Sequence, residues 1–191
     1  MRESTKWTVP YQFLNIFLEN LKAIAISFVF LAAFYAFLEK PIIKEIASVI
    51  FIGVYFSLIY SRAHKFGEKE RFNYTATKPD ILKGVLFGVM LSLVFAAVCV
   101  VHSIIWKLYG SSGMLETTPA RIYSVFFWIY TIPYSGIMGL AHGRVMWYSI
   151  VIMLIIPIAA TASGYIAGLK RFSIFDKLSG LIYEKQDGQK K

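Results

Sequence analysis

Few residues in the apolar parts of this sequence could do chemistry. Cys99, His102 and Ser103 lie about one helical turn apart, so a thiol and an imidazole can share one side of a helix. Both groups bind zinc, but a zinc site needs further ligands, and this stretch contains none. We interpret Cys99 as a packed thiol and His102 as a hydrogen-bonded or interfacial histidine, and we predict no metal and no cofactor.

A second group of reactive side chains lies in the polar stretches between apolar blocks. Its members are Ser111, Ser112, Glu116, His142 and Arg144. Together they would supply a nucleophile, a base and an acid, but the sequence lacks the G-x-S-x-G, H-E-x-x-H and Walker A motifs that hold such groups at working distances. We therefore read them as turn-forming serines and solvated charges, and predict no catalytic residue.

The sequence T-I-P-Y-S-G, at 131–136, is the best candidate for a binding element. Proline removes a helix hydrogen bond and glycine tolerates unusual backbone angles, so a helix can break here and the chain can turn back. The freed backbone groups cannot face lipid and must be buried in protein or line a wet cavity. The candidate site for a solute consists of Thr131, Pro133, Tyr134, Ser135 and Gly136.

Composition predicts that these elements lie in a membrane. Of 191 residues, 57% are hydrophobic and 16% are charged, whereas ordinary soluble domains are roughly 45–50% apolar. No charged residue occurs in 84–106, and about 20 apolar residues suffice to cross a bilayer core. The net charge of +9 is spread between apolar blocks, which favours an anionic lipid surface over nucleic acid as the partner.

The apolar blocks predict an all-α integral membrane protein. They lie at about 23–38, 46–61, 84–106, 122–140 and 147–169. We expect a helical bundle of four transmembrane helices plus one proline-broken segment, 122–140, which is either re-entrant or a fifth transmembrane segment. The corresponding division is a cytoplasmic or interfacial N-terminus (1–22), a single bundle (23–169) and a basic amphipathic C-terminal tail (170–191).

Three finer expectations concern the ends of the helices. An apolar stripe over 11–21 extends the first block, so one long helix should begin near Pro10. The segment 62–83 has mixed charges and should be a solvated loop. Thr77 and Pro79 resemble the start of the third helix.

Counting basic residues separates the two arrangements of 122–140. If all five blocks cross the membrane, the Lys and Arg residues divide ten against ten; if 122–140 returns to its own side, they divide fifteen against five. The positive-inside rule favours the second arrangement, in which the chain is a multi-pass protein of the cell membrane and both termini lie in the cytoplasm. The first, third, fourth and fifth blocks contain no Asp, Glu, Lys or Arg, which disfavours a carboxylate relay.

Small residues at four-residue spacing predict where helices meet, because close backbone approach drives helix association in lipid. The predicted packing positions are Gly84, Gly88, Ala160, Gly164 and Gly168. They serve packing within the chain, or alternatively a homo-oligomer or a membrane protein partner. The leading functional hypothesis is a non-enzymatic accessory or scaffold subunit of a membrane assembly. The alternative is a permease or channel component for a small neutral or amphipathic solute, bound at the broken helix.

Overall fold

The computed structural model describes residues 8–34, 41–72, 79–109, 118–134 and 147–170, and helix is the only regular secondary structure among them. Within these ranges, three helices (the first, the third and the last) are long and apolar enough to cross a membrane. The elements are α1 (Val9–Phe34), α2 (Pro41–Arg71), α3 (Ile81–Tyr109), α4 (Thr118–Thr131), a 3-10 turn (Ile132–Tyr134) and α5 (Trp147–Leu169).

Proline and aspartate set the starts of two helices. α1 begins at Val9, beside Pro10, where the missing proline N–H is not needed because the first turn has no partner for it. Pro79 and Asp80 precede α3, and the Asp80 carboxylate accepts a hydrogen bond from the Leu82 amide at 3.0 Å. The acidic side chain caps α3 and complements its dipole. Thr77 lies outside the described residues.

α2 is longer than its apolar block. The expectation that a loop begins at Arg62 is wrong for 62–71, because α2 remains helical through Arg71. Its buried face continues through Ala63, Phe66, Gly67 and Glu70. Packing of this face against other helices outweighs the polarity of the remaining residues.

Contacts between the long helices fix their directions. Gln12 of α1 contacts Glu70 of α2, and Ser92 of α3 donates a hydrogen bond to the Leu154 carbonyl of α5 at 2.7 Å. A second contact of α1 with α2, between Glu19 and Arg62, and the close approaches of glycines between α5 and its neighbours show that α2 and α5 are parallel and that α1 and α3 are antiparallel to both. One end of the bundle therefore contains the starts of α1 and α3 and the ends of α2 and α5. We call it the basic end, because Lys65 and Lys170 are exposed there.

Glycines allow α5 to approach α2 and α3 closely. A Cβ at Gly84 would lie 2.8 Å from Tyr165 Cβ, and one at Gly88 would meet the backbone of Ile158. On the other face of α5, a Cβ at Gly164 would lie 2.5 Å from the Tyr60 carbonyl oxygen. Gly168 is similarly close to the α2 backbone, and Ala160 is fully buried. All five small residues therefore face neighbouring helices of the same chain.

α4 reaches only the middle of the bundle. Phe127 stacks on His102 of α3 with ring centroids 3.8 Å apart, whereas Tyr134, seven residues later, contacts Phe95, the middle residue of α3, with ring centroids 5.4 Å apart. α4 therefore begins toward the opposite end and descends to mid-depth. Because α5 is antiparallel to α3, α5 also begins at the opposite end.

Candidate functional site

Three tyrosines and an asparagine meet where α4 stops, and we call them the tyrosine cluster: Asn20, Tyr55, Tyr130 and Tyr134. The Tyr55 and Tyr134 rings contact each other, with centroids 5.2 Å apart and planes tilted by 59°. Asn20 Nδ2 donates to the Tyr130 hydroxyl at 3.4 Å. All four residues are buried and come from α1, α2, α4 and the 3-10 turn.

The wall of the tyrosine cluster is aromatic. Phe95 of α3 stacks on Tyr130 at 6.0 Å and contacts Tyr134 at 5.4 Å between ring centroids. The polar groups of the cluster are three hydroxyls and one carboxamide, which are neutral and both donate and accept hydrogen bonds. Such groups, buried in an apolar bundle, suit an uncharged ligand with hydrogen-bonding groups and an apolar body.

The sequence-predicted site residues have different positions. Tyr134 belongs to the tyrosine cluster, and Pro133 is buried beside it in the 3-10 turn. The Thr131 hydroxyl bonds to its own helix, donating to the carbonyls of Phe127 at 3.0 Å and Trp128 at 3.1 Å. Thr131 thus closes the last turn of α4. Ser135 and Gly136 lie outside the described residues.

Sequence reasoning missed a buried carboxylate at the basic end. Glu70 is fully buried, and Gln12 Nε2 donates to its Oε1 at 2.7 Å, while Lys83 Nζ lies 3.0 Å from its Oε2. The Tyr165 hydroxyl also donates to Oε2. These four residues, which we call the Glu70 cluster, join α1, α2, α3 and α5. Burial of the charge is tolerated because a cation and two neutral donors compensate it.

A second buried carboxylate lies deeper in the bundle. Arg62 Nε donates to Glu19 Oε1 at 3.0 Å and its Nη2 contacts the same oxygen, while Lys22 Nζ lies 3.1 Å away. The apolar blocks contain no charged residue, but the interior of the bundle also includes charged residues from outside those blocks. Glu19 and Glu70 lie outside those blocks, yet both are buried.

The sequence contains one signal for the Glu19 contact. Gln12, Glu19 and Asn20 are polar residues of a mostly apolar helix and fall at spacings of seven and eight residues, which place them on one face. Nothing local marks Glu70, since it stands between Lys69 and Arg71 and resembles a solvated residue.

Cys99 and His102 serve packing. His102 lies flat against Phe127 of α4, with ring centroids 3.8 Å apart and planes 4° from parallel. Cys99 packs against the core, and the Ser103 hydroxyl donates to its carbonyl at 2.9 Å. Among the described residues no three His, Cys, Asp or Glu side chains are close enough to hold a metal ion. The second reactive group, from Ser111 to Arg144, lies outside those residues.

Comparison of the chain with protein-family models, curated proteins and solved structures finds no match to any of them.

Proposed function

We propose that the chain is a multi-pass membrane protein in which α1, α2, α3 and α5 cross the bilayer and α4 reaches only its middle. The length and apolar character of α1, α3 and α5 support this, as do the large apolar side chains on outward faces, among them Val29, Val49 and Leu93. The helix directions support the fifteen-to-five division of basic residues, which makes the basic end cytoplasmic. Both termini are then cytoplasmic, in a cell membrane whose anionic headgroups meet the basic end.

Within that bundle the function we propose is a permease or channel component for a small neutral solute. The observation that carries this proposal is the tyrosine cluster at the end of a half-length helix. Helices that end inside a membrane protein are a recurring way to build solute sites at mid-depth, because the broken backbone must line protein or a cavity. Polar groups buried there are costly in lipid and are retained for a task.

Replacing Tyr134 by phenylalanine tests this proposal. The variant removes one hydroxyl from the tyrosine cluster while keeping the ring. Loss of one hydrogen bond to the solute, worth about 1 kcal/mol, corresponds to roughly a fivefold slower flux. Glycerol and urea are the probes, and swelling of proteoliposomes followed by light scattering is the measurement. Tyr123→Phe is the matched control, because that hydroxyl bonds to Val98 away from the cluster.

We expect wild-type and Tyr123→Phe vesicles to swell faster than protein-free vesicles, and Tyr134→Phe vesicles to lose most of that difference. Equal rates for all four kinds of vesicle with both probes would contradict the proposed function.

A second candidate function is an accessory or scaffold subunit. The exposed lysines at the basic end, Lys65 and Lys170, favour it because they offer a positive surface to an acidic cytoplasmic partner or to anionic lipid. The small residues no longer argue for it, since they meet helices of the same chain. A stoichiometric partner that co-purifies in mild detergent would support this function, and a solitary monomer would contradict it.

A further inference from the structure

Lys83 of α3 and Arg62 of α2 lie at the same depth in the bundle. Lys83 precedes Gly84, where an added Cβ would lie 2.8 Å from Tyr165 Cβ of α5. The residue of α5 that precedes Tyr165 meets the backbone of Tyr60, two residues before Arg62. Because an α-helix rises about 1.5 Å per residue, the two basic residues lie within about one helical turn of each other.

Lys22 of α1 belongs to the same level. Its Nζ lies 3.1 Å from Glu19 Oε1, the oxygen that also accepts a hydrogen bond from Arg62 Nε at 3.0 Å. Each of the three basic residues borders a stretch of sequence without charges, whose described part lies toward the opposite end: 23–38, 46–61 and 84–106. A charge in hydrocarbon is costly, so this level marks the boundary of the hydrocarbon core at the basic end. Asn20 follows Glu19 directly, and the tyrosine cluster therefore extends from mid-depth to this boundary.

Lys22 and Arg62 present their charges on the outside of the bundle, whereas Lys83 does not. The Lys83 side chain is 13% exposed and bonds to Glu70, but those of Arg62 and Lys22 are 32% and 61% exposed. Among the residues that the structure describes, Glu19 is the one side-chain partner of both exposed cations. Two cations and one carboxylate leave a net charge of +1, with N–H donors left over to bind an anion.

Apolar side chains continue this surface into the hydrocarbon. Ile26 and Val29 follow Lys22 by four and seven residues, which places them on the same face of α1, and they are 37% and 65% exposed. A lipid whose phosphate meets Lys22 therefore has exposed apolar side chains along which an acyl chain can lie. The combination of cations at headgroup level with this apolar face fits a lipid better than a free anion.

We propose that Lys22 and Arg62 form a binding site for the phosphate of an anionic lipid in the cytoplasmic leaflet, and that Glu19 holds the two cations in place. Basic groups between transmembrane helices on the cytoplasmic side recur as sites for anionic headgroups. An anionic headgroup is favoured over a zwitterionic one because it brings no further positive charge beside the two cations. The site rests on the membrane placement in the proposed function and is independent of the solute site.

Binding of phosphatidylglycerol to the detergent-solubilised protein, followed by native mass spectrometry, tests this site. Lys22→Gln and Arg62→Gln each remove one cation, and Lys170→Gln is the matched control because it removes an exposed cation at the same end from α5. We expect the first two variants to bind the lipid about tenfold more weakly than wild type, as for the loss of one charge-assisted hydrogen bond. Lys170→Gln should bind like wild type. Glu19→Gln should bind more tightly, since the site gains one net positive charge.

Phosphatidylcholine and inorganic phosphate are the comparison ligands. We expect phosphatidylcholine to bind wild type more weakly than phosphatidylglycerol, and inorganic phosphate to leave bound phosphatidylglycerol in place. Equal lipid affinities of wild type and Lys22→Gln, with melting temperatures within a few degrees, would overturn the site; Lys22 is the exposed member of the pair, so this variant is the one most certain to fold. Displacement of the lipid by inorganic phosphate would overturn the assignment to a lipid.

Labelling of Lys65→Cys in a Cys99→Ala background separates this test from that of the membrane placement. If the lipid affinities are equal but the cysteine is labelled only after permeabilisation, the lipid site is wrong and the cytoplasmic placement of the basic end stands. If binding depends on Lys22 and Arg62 but the cysteine is labelled in intact cells, the phosphate site is supported and the cytoplasmic placement is overturned.

Discussion

Replacing Lys83 by methionine should lower the free energy of unfolding by about 3–5 kcal/mol, because the fully buried Glu70 carboxylate would lose its cation. Methionine preserves most of the length and apolar volume of the lysine stem, so lost packing contributes little. For a chain of this size the expected fall in melting temperature is on the order of 10 °C. Thermal unfolding in detergent, followed by circular dichroism, measures it.

Two further variants show whether charge is the cause. Lys65→Met removes an exposed lysine from α2 and should change stability by no more than about 0.5 kcal/mol. Combining Glu70→Gln with Lys83→Met removes both charges while the amide oxygen still accepts from Tyr165, and should recover most of the loss. If Lys83→Met and Lys65→Met melt together, Glu70 does not hold the four helices together.

Replacing Gly164 by alanine should destabilise the bundle by about 1–3 kcal/mol. The added methyl would lie 2.5 Å from the Tyr60 carbonyl oxygen and 3.0 Å from its Cα, and both are backbone atoms that a rotamer change cannot move. α2 and α5 would have to separate, with the cost of an overpacked contact. Unfolding by denaturing detergent measures the change.

Gly53 provides the control, because it lies on α2 and a Cβ there meets nothing within 4 Å. Gly53→Ala should be neutral or stabilising by up to about 1 kcal/mol, since alanine is the better helix former. The two variants add the same methyl group to a helix, so a difference between their free energies of unfolding reports the close contact between α2 and α5. Equal effects at both positions would refute close packing of α2 on α5.

The sequence predicts the apolar elements better than the interior polar contacts. Hydrophobic blocks and Pro10 anticipate α1 and α3, since a long apolar run and a helix-start proline act locally. The T-I-P-Y-S-G motif anticipates the end of α4, because Pro133 removes a helix hydrogen bond, whereas α5 continues through Pro157. The length of α2 escaped prediction, as its last turns are stabilised by tertiary packing.

The buried carboxylates were not predicted from the sequence because their partners are distant along the chain. Glu70 meets Lys83 at a separation of 13 residues, Gln12 at 58 and Tyr165 at 95. No local pattern encodes such contacts, and a glutamate between two basic residues resembles a surface position. The tyrosine cluster is similar: Tyr134 was accessible to motif reasoning, whereas its neighbour Tyr55 lies within an ordinary apolar block.

The central claim is that α4 reaches only the middle of the membrane. The side of the membrane on which the ends of α2 and α5 lie tests this claim most directly. Single cysteines at Lys65, Lys107, Arg121 and Lys170, in a Cys99→Ala background, would be labelled with an impermeant thiol reagent on intact cells. Four crossings with a half-length α4 predict labelling of the cysteines at 107 and 121 in intact cells, and labelling of those at 65 and 170 only after permeabilisation. A cysteine at 170 that is labelled in intact cells while the one at 65 is protected would mean an odd number of crossings between them and would contradict the half-length helix.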